Sequence, residues 1–473
     1  MKGIKKTIAA GLALICAVSV TACEDAAPVS SGNISDAPIT TVPVTTSATL
    51  NEKDAAAVAE IDIGAEKLEN PTVKFLSSWD LNPKEGQPLA VALEMFQTQY
   101  GGRIEFIQTT WEGRFDSLAN LIAADESPDM FSAADMDVFP KGVINKMFEP
   151  IDNYVDLDSE LWASMKDVNE QFAFGGKHYV GAITTNSQCA MFYNKKTIAE
   201  NGLDDPVELL AQGNWNWDTF WNMMIKFCDR DQDKFAIDGW WFEGGFSLTT
   251  GYPYVGMEDG KIVHNLDNPI IERAQEYMLN MKLNDLPCPK GERGWQIYPS
   301  DVKNGKTLFY PVGVYALYPY NNIIQDLGEE MEDVMLVPMP KCTYTDEYYL
   351  PAVVVGYSIC KGAKNPEGVG AYLNCEMASI DSEAGKEIGR RQAFEEHGWT
   401  QEQYDMFELV QEMTNEHPVF EFYSAVTEAV NEAIHNPMKE CYNNGVSWTQ
   451  TKESIRNEVQ SYLDDANAKL AAQ

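Results

Sequence analysis

Three aspartates at alternate positions have the spacing that comes nearest to a chemical site. Asp229, Asp231 and Asp233 match the first three ligand positions of a calcium loop. Such a loop needs glycine at its sixth position and glutamate at its twelfth, whereas this chain has Lys234 and Trp240 there. We interpret the segment as a solvated acidic turn, with a weak ion site as the alternative.

The catalytic motifs of the common hydrolase classes do not occur in the sequence. There is no H-E-x-x-H and no G-x-S-x-G, and the five histidines are isolated, at His178, His264, His397, His417 and His435. Gly305, Lys306 and Thr307 resemble the end of a phosphate-binding loop, but Ser300 stands where that loop needs its first glycine. The sequence therefore predicts no zinc site, no nucleotide site and no cofactor.

A pair of carboxylates for glycoside hydrolysis is the catalytic alternative that the sequence leaves open. Such a pair is defined by the distance between two carboxyl groups and not by a motif. The chain has 72 Asp and Glu residues, which offer many pairs. A surface-tethered glycoside hydrolase therefore remains an alternative function.

The acidic residues also set the net charge of the chain. They outnumber the 35 Lys and Arg residues, which gives a formal net charge of -37. A surface this negative repels phosphate backbones and anionic lipid headgroups. We therefore expect no nucleic acid partner.

The amino-terminal residues have the layout of a secretion signal. A positive segment up to Lys6 precedes an apolar run over 7–20, which is short for a membrane span. The run is followed by T-A-C, and small residues before Cys23 resemble the lipobox of bacterial lipoproteins. The pattern predicts a signal peptide over 1–22 and lipid, including palmitate, on Cys23. An ordinary signal peptide cut nearby is the alternative.

Residues 23–70 contain few large apolar side chains and many Ser, Thr, Pro, Ala and acidic residues. Such a segment buries too little surface to offset the entropy lost on folding. We predict a flexible linker that holds a globular body away from the membrane. The body that follows has roughly 400 residues, which is enough for two or three domains.

Strand and helix patterns alternate at the start of this body. Short apolar runs over 73–77, 104–107 and 129–131 have the length of strands, and apolar residues at helical spacing cover 88–100 and 115–122. Strand, helix, strand, helix and strand in so short a stretch predict a parallel sheet with right-handed crossovers.

The same patterns return in the second half of the chain. They predict helices over 217–227 and 269–283 and strands over 190–193, 307–310, 334–337 and 352–359, with mainly helical structure from there to the end. A second α/β lobe is the simplest account of these elements. Ser447 and Gln450 predict a capping box at the start of the last helix.

Four segments of the chain resemble one family of binding proteins. Residues 111–131, WEGRFDSLANLIAADESPDMF, resemble its helix and "PD" strand, and residues 193–195 resemble its "YNK" crossing. Residues 213–220 resemble its "GxWTWDxF" helix start, with Asn216 in place of the capping threonine, and residues 336–341 resemble its "PxP" return segment. In this order behind a lipobox, they resemble the extracellular solute-binding proteins of ABC importers, family 1, the sugar-binding family that includes maltose-binding protein.

The resemblance implies a two-lobed α/β fold, the type II periplasmic-binding-protein-like fold. Its lobes are joined by hinge crossings, so each lobe is discontinuous in sequence, and they close on a ligand between them. We predict lobe 1 from residues 72–182 and 340–400, and lobe 2 from residues 183–339 and 401–473.

The resemblance also implies a function. The protein would be a monomer, held by lipid on Cys23 at the outer face of the cell membrane, that captures a carbohydrate such as an oligosaccharide. It would deliver this solute to the transmembrane subunits of an ABC permease and catalyse nothing. A receptor for a peptide or another non-sugar solute is the alternative, alongside the glycoside hydrolase.

Candidate ligand residues follow from the chemistry of sugars and from where the family places its cleft loops. A sugar presents C–H faces and hydroxyl groups, so its site needs flat rings together with carboxylates and amides. The predicted ring platforms are Trp79, Trp111, Trp241 and Tyr315, and the predicted polar partners are Asp135, Asn186 and Glu243. For each of these residues, packing or plain surface exposure is the alternative.

Two positions depart from the family pattern. Tyr315 stands where tryptophan is common, and Val355 with Gly356 replaces a frequent double glycine. These departures leave open which sugar is bound.

Overall fold

The computed structural model describes residues 40–42, 50–64, 66–83, 89–136, 138–239, 241–319 and 322–472. The predicted signal peptide over 1–22, Cys23 and Trp240 lie outside this description. For Thr40–Val42 and Asp135 only the backbone is described.

Short strands account for the sheets of the described residues. They are β1 (Thr40–Val42), β2 (Thr72–Ser77), β3 (Arg103–Gln108), β4 (Met130–Ser132), β5 (Phe148–Glu149), β6 (Ala173–Phe174), β7 (Lys177–His178), β8 (Gly181–Ser187), β9 (Ala190–Asn194), β10 (Phe235–Ile237), β11 (Val255–Glu258), β12 (Lys261–His264), β13 (Thr307–Val312), β14 (Val334–Pro338), β15 (Leu350–Cys360) and β16 (Pro418–Phe420).

Helices cover the sheets and form most of the carboxyl-terminal part. They are α1 (Glu52–Ala59), α2 (Val91–Met95), α3 (Arg114–Ala123), α4 (Lys166–Glu170), α5 (Lys195–Glu200), α6 (Pro206–Ala211), α7 (Trp217–Phe227), α8 (Phe242–Leu248), α9 (Pro269–Leu283), α10 (Ser300–Lys303), α11 (Ile323–Leu327), α12 (Pro366–Asp381), α13 (Glu383–Glu395), α14 (Gln401–Glu416), α15 (Tyr423–Val426), α16 (Glu428–His435), α17 (Glu440–Asn444) and α18 (Trp448–Ala471). Among these helices, not one combines the length and the apolar character needed to cross a membrane.

The first sheet has the order β1-β3-β2-β4-β15-β16, and β5 and β8 also pair with β15. The strand β2 runs parallel to both β3 and β4, whereas β15 runs antiparallel to β4 and β8. We call the body built on this sheet lobe 1. The predicted parallel sheet at the start of the body is confirmed.

The second sheet has the order β10-β13-β9-β14. Its strand β9 runs antiparallel to β13 and β14, and β10 runs parallel to β13. We call the body built on this sheet lobe 2. Two separate sheets, each packed with helices, confirm the two-lobed α/β fold.

Chain crossings join the two lobes. The strand β8 continues into β9 through Gln188 and Cys189, and β14 returns to β15 through residues 339–349. The helix α14 packs on both β8 and β14 and so lies against both lobes. The resulting architecture is the hinge-connected, type II fold that the family resemblance implies.

The position where the family often has a double glycine lies inside β15, in the sheet of lobe 1. The pairing of β8 with β15 shifts register between Val355 and Gly356. A Cβ atom on Gly356 would lie 2.1 Å from the Gly181 carbonyl oxygen. Glycine is therefore needed at the second of the two positions, whereas the first tolerates valine.

The helix that begins at Trp217 shows why Asn216 can replace the usual threonine as the residue that caps the helix. The Asn216 side chain accepts hydrogen bonds from the backbone N–H groups of Asp218 and Thr219, and the Thr219 hydroxyl accepts one from the Asn216 N–H. This reciprocal arrangement is a capping box. At the last helix Ser447 accepts the N–H of Gln450, which is one of the two hydrogen bonds of the predicted capping box.

The predicted flexible linker differs from the structure over its second part. The helix α1 packs on α2 and α13, with Val58 fully buried. The buried Asp54 carboxylate pairs with the Arg391 guanidinium, with one N–O distance of 2.9 Å. The prediction of a linker up to residue 70 is therefore wrong for residues 52–59, because a partner far along the chain stabilises them.

The carboxyl-terminal part divides between the lobes. The strand β16 pairs in parallel with β15 in the sheet of lobe 1, whereas α17 packs on α9 and α18 packs on β12 in lobe 2. Residues 401–473 therefore do not all lie on lobe 2 as predicted. The other lobe boundaries stay predictions.

Candidate functional site

The strand directions define which edge of the lobe 1 sheet faces lobe 2. Because β2, β3 and β4 are parallel, their carboxyl ends lie at one edge. The carboxyl end of β8 lies at the same edge, since β8 runs antiparallel to β15 and β15 antiparallel to β4. This is the end from which β8 crosses into lobe 2.

The same argument defines the facing edge of lobe 2. The strand β9 begins directly after the crossing, and its first residue, Ala190, pairs with Val312 at the end of β13. The carboxyl end of β13 therefore faces lobe 1, and that of β10, parallel to β13, does so too. In α/β proteins ligands bind outside the carboxyl ends of strands, where the connections diverge.

The structure places all seven predicted ligand residues at these facing edges. Trp79, Trp111 and Asp135 follow β2, β3 and β4, Asn186 is the next-to-last residue of β8, Trp241 and Glu243 follow β10, and Tyr315 follows β13. Of Asp135 only the backbone is described, in a 3-10 turn over Ala134–Met136. The seven residues are far apart in sequence, and the topology places them at two edges, one on each lobe.

In lobe 1, two of the predicted rings contact each other. The ring centroids of Trp79 and Trp111 are 6.0 Å apart with the planes tilted by 31°. Trp79 is only 7% exposed, and its edge contact with Phe75 holds it in the core. Trp79 therefore forms the inner part of this aromatic surface and Trp111, which is half-buried, the outer part.

Arg114, which sequence reasoning missed, holds Trp111 in place. Its guanidinium lies 3.7 Å from the centroid of the Trp111 ring, and it also donates a hydrogen bond to the Trp111 carbonyl. Arg114 is buried. A stacked guanidinium stabilises an indole and covers part of its surface. The only sign of this contact in the sequence was that Arg114 follows Trp111 by three residues at the start of α3.

Three polar atoms at the facing edges are buried and have no hydrogen-bond partner in the described part of the chain. They are Nε1 of Trp79, Oδ1 of Asn186 and Oδ1 of Asp238. An unsatisfied buried polar group costs free energy, so each such group in a folded protein calls for a partner. Asp238, directly after β10, was not predicted, and burial raises its pKa.

In lobe 2, Trp241 presents the more exposed ring. It is 38% exposed and stands at the start of α8 with φ of 61°. Its ring meets His435 edge-on, with centroids 5.5 Å apart, and the Lys439 ammonium lies 5.4 Å from its centroid.

Glu243, in the first turn of α8, is buried beside Lys290, whose Nζ lies 4.0 Å from its carboxylate. The same ammonium lies 3.3 Å from the Gly239 carbonyl oxygen. These contacts occupy part of the carboxylate, so Glu243 has a structural partner as well as its predicted role. Lys290, Lys439 and His435 were missed because they come from later segments of the chain.

Tyr315 lies in a 3-10 turn, Val314–Leu317, directly after β13. Its ring packs over Gly313, where a Cβ atom would come within 2.6 Å of the ring. Gly313 therefore allows the ring to fold back toward the crossing. The ring is half-buried.

The acidic turn at Asp229 has the geometry of a capped turn. The Asp229 carboxylate accepts the N–H of Asp231 and the side-chain amide of Gln232. Within the described residues, no three His, Cys, Asp or Glu side chains are grouped to hold a metal ion.

A groove of about 800 Å³ opens elsewhere, between α6 and α14. It has an apolar floor that includes Leu210, Met335, Met406 and Met413. None of the predicted ligand residues lines it, and neither does any residue that carries one of the three unpartnered polar atoms named above. We therefore assign the candidate site to the facing edges of the sheets.

Comparison with known proteins agrees with this architecture. The family of bacterial extracellular solute-binding proteins matches residues 82–375, more than half of the chain. No curated protein matches the chain in sequence.

Similar solved structures share the fold at low sequence identity. The sugar-binding protein MalE from Xanthomonas citri is 14% identical, with a TM-score of 0.60 over 83% of this chain and 98% of that one. The GacH receptor of Streptomyces glaucescens, solved unliganded and with acarbose, is 14% identical with a TM-score of 0.58 over 83% and 98%. An ABC substrate-binding protein of Listeria monocytogenes in complex with cycloalternan is 13% identical with a TM-score of 0.57 over 85% and 98%.

The fold is therefore that of the two-lobed, type II binding proteins. The chain belongs to the family of bacterial extracellular solute-binding proteins.

Proposed function

We propose that this protein is the carbohydrate-binding component of an ABC importer and that it acts without catalysis. Lipid on Cys23 anchors it at the outer face of the membrane, and it delivers its solute to the permease. The observation that carries the proposal is the presence of aromatic rings on the facing edges of both lobes, with Trp79 and Trp111 on one side and Trp241 on the other.

The unpartnered polar atoms support a solute with hydroxyl groups. Trp79 Nε1 is a donor, and Asn186 Oδ1 and Asp238 Oδ1 are acceptors. A hydroxyl group both donates and accepts, and a sugar ring also has C–H groups that pack on indole. Rings together with unpartnered donors and acceptors therefore favour a sugar over a purely apolar solute.

The similar structures support the same class of solute. Acarbose and cycloalternan, which occupy two of them, are carbohydrates. Binding of such a solute to both lobes favours the closed arrangement of the hinge, because only that arrangement allows contacts on both sides. The closed form is then the one that the permease recognises.

A binding screen tests the proposal. Neutral oligosaccharides, with maltotetraose and cycloalternan among them, and short peptides are added while the melting temperature is followed. A solute at a hundred times its Kd stabilises the folded protein by about 2.7 kcal/mol. Stabilisation by peptides and by no sugar would replace the proposal with the peptide-receptor alternative.

A pair of variants locates the site. Trp241→Ala is expected to weaken sugar binding at least tenfold, because a stacked ring contributes more than 1.4 kcal/mol at a buried contact. The matched control is Tyr462→Ala on α18, where the hydroxyl bonds to Glu458 of the same helix. Equal affinities of the two variants would place the solute elsewhere.

Two further measurements separate the alternatives. The radius of gyration from X-ray scattering should fall on saturation with the sugar, since closure brings the lobes together. Chromatography of the sugar after long incubation should return it intact, whereas shorter products would indicate a glycoside hydrolase.

The lipid anchor has its own test. Cells fed a palmitate analogue should label the wild-type protein and not Cys23→Ser. Labelling of both would contradict the anchor and leave the binding proposal unaffected.

A further inference from the structure

Trp241 adopts a backbone conformation that tryptophan rarely accepts. Its φ of 61° and ψ of 19° lie in the left-handed region. Such a conformation persists only where the surroundings hold it, and it is found mainly at functional sites. The contacts that hold Trp241 are therefore relevant to its role.

The Trp241 indole rests on α8 and against the segment that follows α16. One helical turn along α8, a Cβ atom on Gly244 would lie 3.1 Å from Cε3 of the indole, so glycine leaves room for the ring. His435, the last residue of α16, meets the ring edge-on at 85°. Lys439 ends the 3-10 turn Pro437–Lys439 and brings its ammonium 5.4 Å from the ring centroid.

Both ring nitrogens of His435 have polar partners. Nε2 lies 2.7 Å from the Lys439 Nζ and Nδ1 lies 3.1 Å from the Tyr423 hydroxyl. An ammonium group only donates, so Nε2 must accept, and the single proton of a neutral imidazole then lies on Nδ1 and is donated to Tyr423. The arrangement therefore requires His435 to be neutral.

The charges around His435 favour this neutral form. Burial and the Lys439 ammonium lower the pKa of His435, and Glu243 of α8 and Glu428 of α16 oppose them. Burial also lowers the pKa of Lys439. The group of α15 that faces His435 is the Tyr423 hydroxyl. On the same helix as His435, Glu432 lies near Tyr462 of α18.

We propose that His435 and Lys439 position the indole of Trp241 as the solute-facing platform of lobe 2, and that protonation of His435 releases it. The inference rests on the proposed role of Trp241 in binding. A second proton on His435 places an imidazolium against the Lys439 ammonium, so the two side chains separate and the ring loses both of its lateral contacts. His435 and Lys439 are positioning residues, because they act on the solute only through Trp241.

The first test needs no solute. The indole N–H resonance of Trp241, identified by its loss in Trp241→Phe, and the ring resonances of His435 are followed by NMR between pH 8 and 4.5. Both are expected to change with one midpoint, below the usual histidine value of about 6.5. A Trp241 resonance that does not follow the His435 midpoint would overturn the proposal.

Matched variants separate positioning from folding. His435→Gln keeps a donor and an acceptor but does not titrate, so the pH response of the Trp241 resonance should vanish while the melting temperature at pH 7.5 is kept. The control is His264→Gln, another half-buried histidine of lobe 2 whose pKa burial lowers. The control variant should keep the Trp241 response, and loss of the response in both variants would contradict the proposal.

The second test measures binding with maltotetraose as the probe. Wild-type affinity is expected to fall between pH 7.5 and 5, by up to about tenfold for each unit by which solute binding lowers the pKa of His435. His435→Gln should remove this fall. If maltotetraose does not bind at all, the proposed function fails for this probe, and the NMR result alone decides whether His435 positions the ring.

Discussion

The two lobes present their rings in different ways. In lobe 1, Trp79 is buried in the core and Trp111 leans on it, with the Arg114 guanidinium 3.7 Å from the outer ring. In lobe 2, Trp241 stands exposed on a strained backbone, and the nearest cation, on Lys439, is 5.4 Å from its centroid.

The difference indicates a division of roles. A ring packed into the core is fixed before any solute arrives, because moving it would disturb its neighbours. A ring held by edge contacts at the surface moves at little cost. We therefore expect lobe 1 to provide a preformed surface and lobe 2 to provide the part that adjusts on closure.

The largest expected effect is on stability, from Trp79→Ala. Truncating a buried tryptophan should cost about 3–5 kcal/mol of unfolding free energy. Trp241→Ala, which removes an exposed ring from a strained position, should change it by less than about 1 kcal/mol. Urea unfolding of both variants checks the contrast, and similar losses would mean that the rings are equally embedded.

A smaller effect separates the two cation contacts. Arg114→Met should lower the unfolding free energy by about 2 kcal/mol, because it removes a buried, closely stacked guanidinium. Lys439→Met should cost less than about 1 kcal/mol, because its ammonium is farther from the ring. Thermal unfolding of the two variants provides the comparison. A larger loss of stability in Lys439→Met than in Arg114→Met would contradict the prediction.

A contact between the lobes, made by Glu421, should make the stability of the protein depend on pH. The Glu421 carboxylate accepts the N–H groups of Tyr254, Val255 and Tyr423, at 2.7, 3.0 and 3.1 Å, and so ties the segment after β16 to β11. Burial raises the pKa of Glu421 to about 7. The folded protein thus favours the protonated form, and this contribution is complete below about pH 4 and is lost as the pH rises through 7.

The melting temperature of the wild-type protein should therefore fall by a few degrees more between pH 5 and 8 than that of Glu421→Gln, because about 2 kcal/mol of stability is lost over this range. Glu258→Gln, an exposed change on the same hairpin, is the control and should follow the wild type. Parallel curves for wild type and Glu421→Gln would show that Glu421 does not titrate in this range.

The smallest effect should come from Gly244→Ala. This change should raise the stability of the protein and lower its affinity for the sugar. Alanine inside a helix is favoured over glycine by about 1 kcal/mol, so stability should rise slightly. The added Cβ at 3.1 Å from the Trp241 ring should push the indole outward and weaken sugar binding. Calorimetric titration with a bound sugar checks the second sign, and unchanged affinity would mean that the ring position does not matter.

Local patterns were enough to predict most of the elements. The helix Trp217–Phe227 and the helix Pro269–Leu283 begin and end where the sequence indicated, because asparagine caps precede both and apolar residues follow at helical spacing. The helix Glu52–Ala59 was missed, although its alanines and its Asn51 cap favour a helix, because its packing involves Arg391 far along the chain.

The candidate site was predicted only in part. The aromatic candidates were proposed from the chemistry of sugars and from where the family places its cleft loops, and they follow strands whose carboxyl ends lie at the facing edges. Arg114, Asp238, His435 and Lys439 were not, because charged residues are mostly solvated and their sequence neighbours do not show that they are buried.

The sequence by itself determined the strand and helix order, the rings and the excess of negative charge, because these depend on residue type and on spacing within a few turns. The tertiary structure decided which edges face each other, which ring is embedded and which is exposed, and which cation lies beside each ring. These depend on contacts between segments hundreds of residues apart, such as Trp241 with Lys439, and only the folded chain brings such segments together.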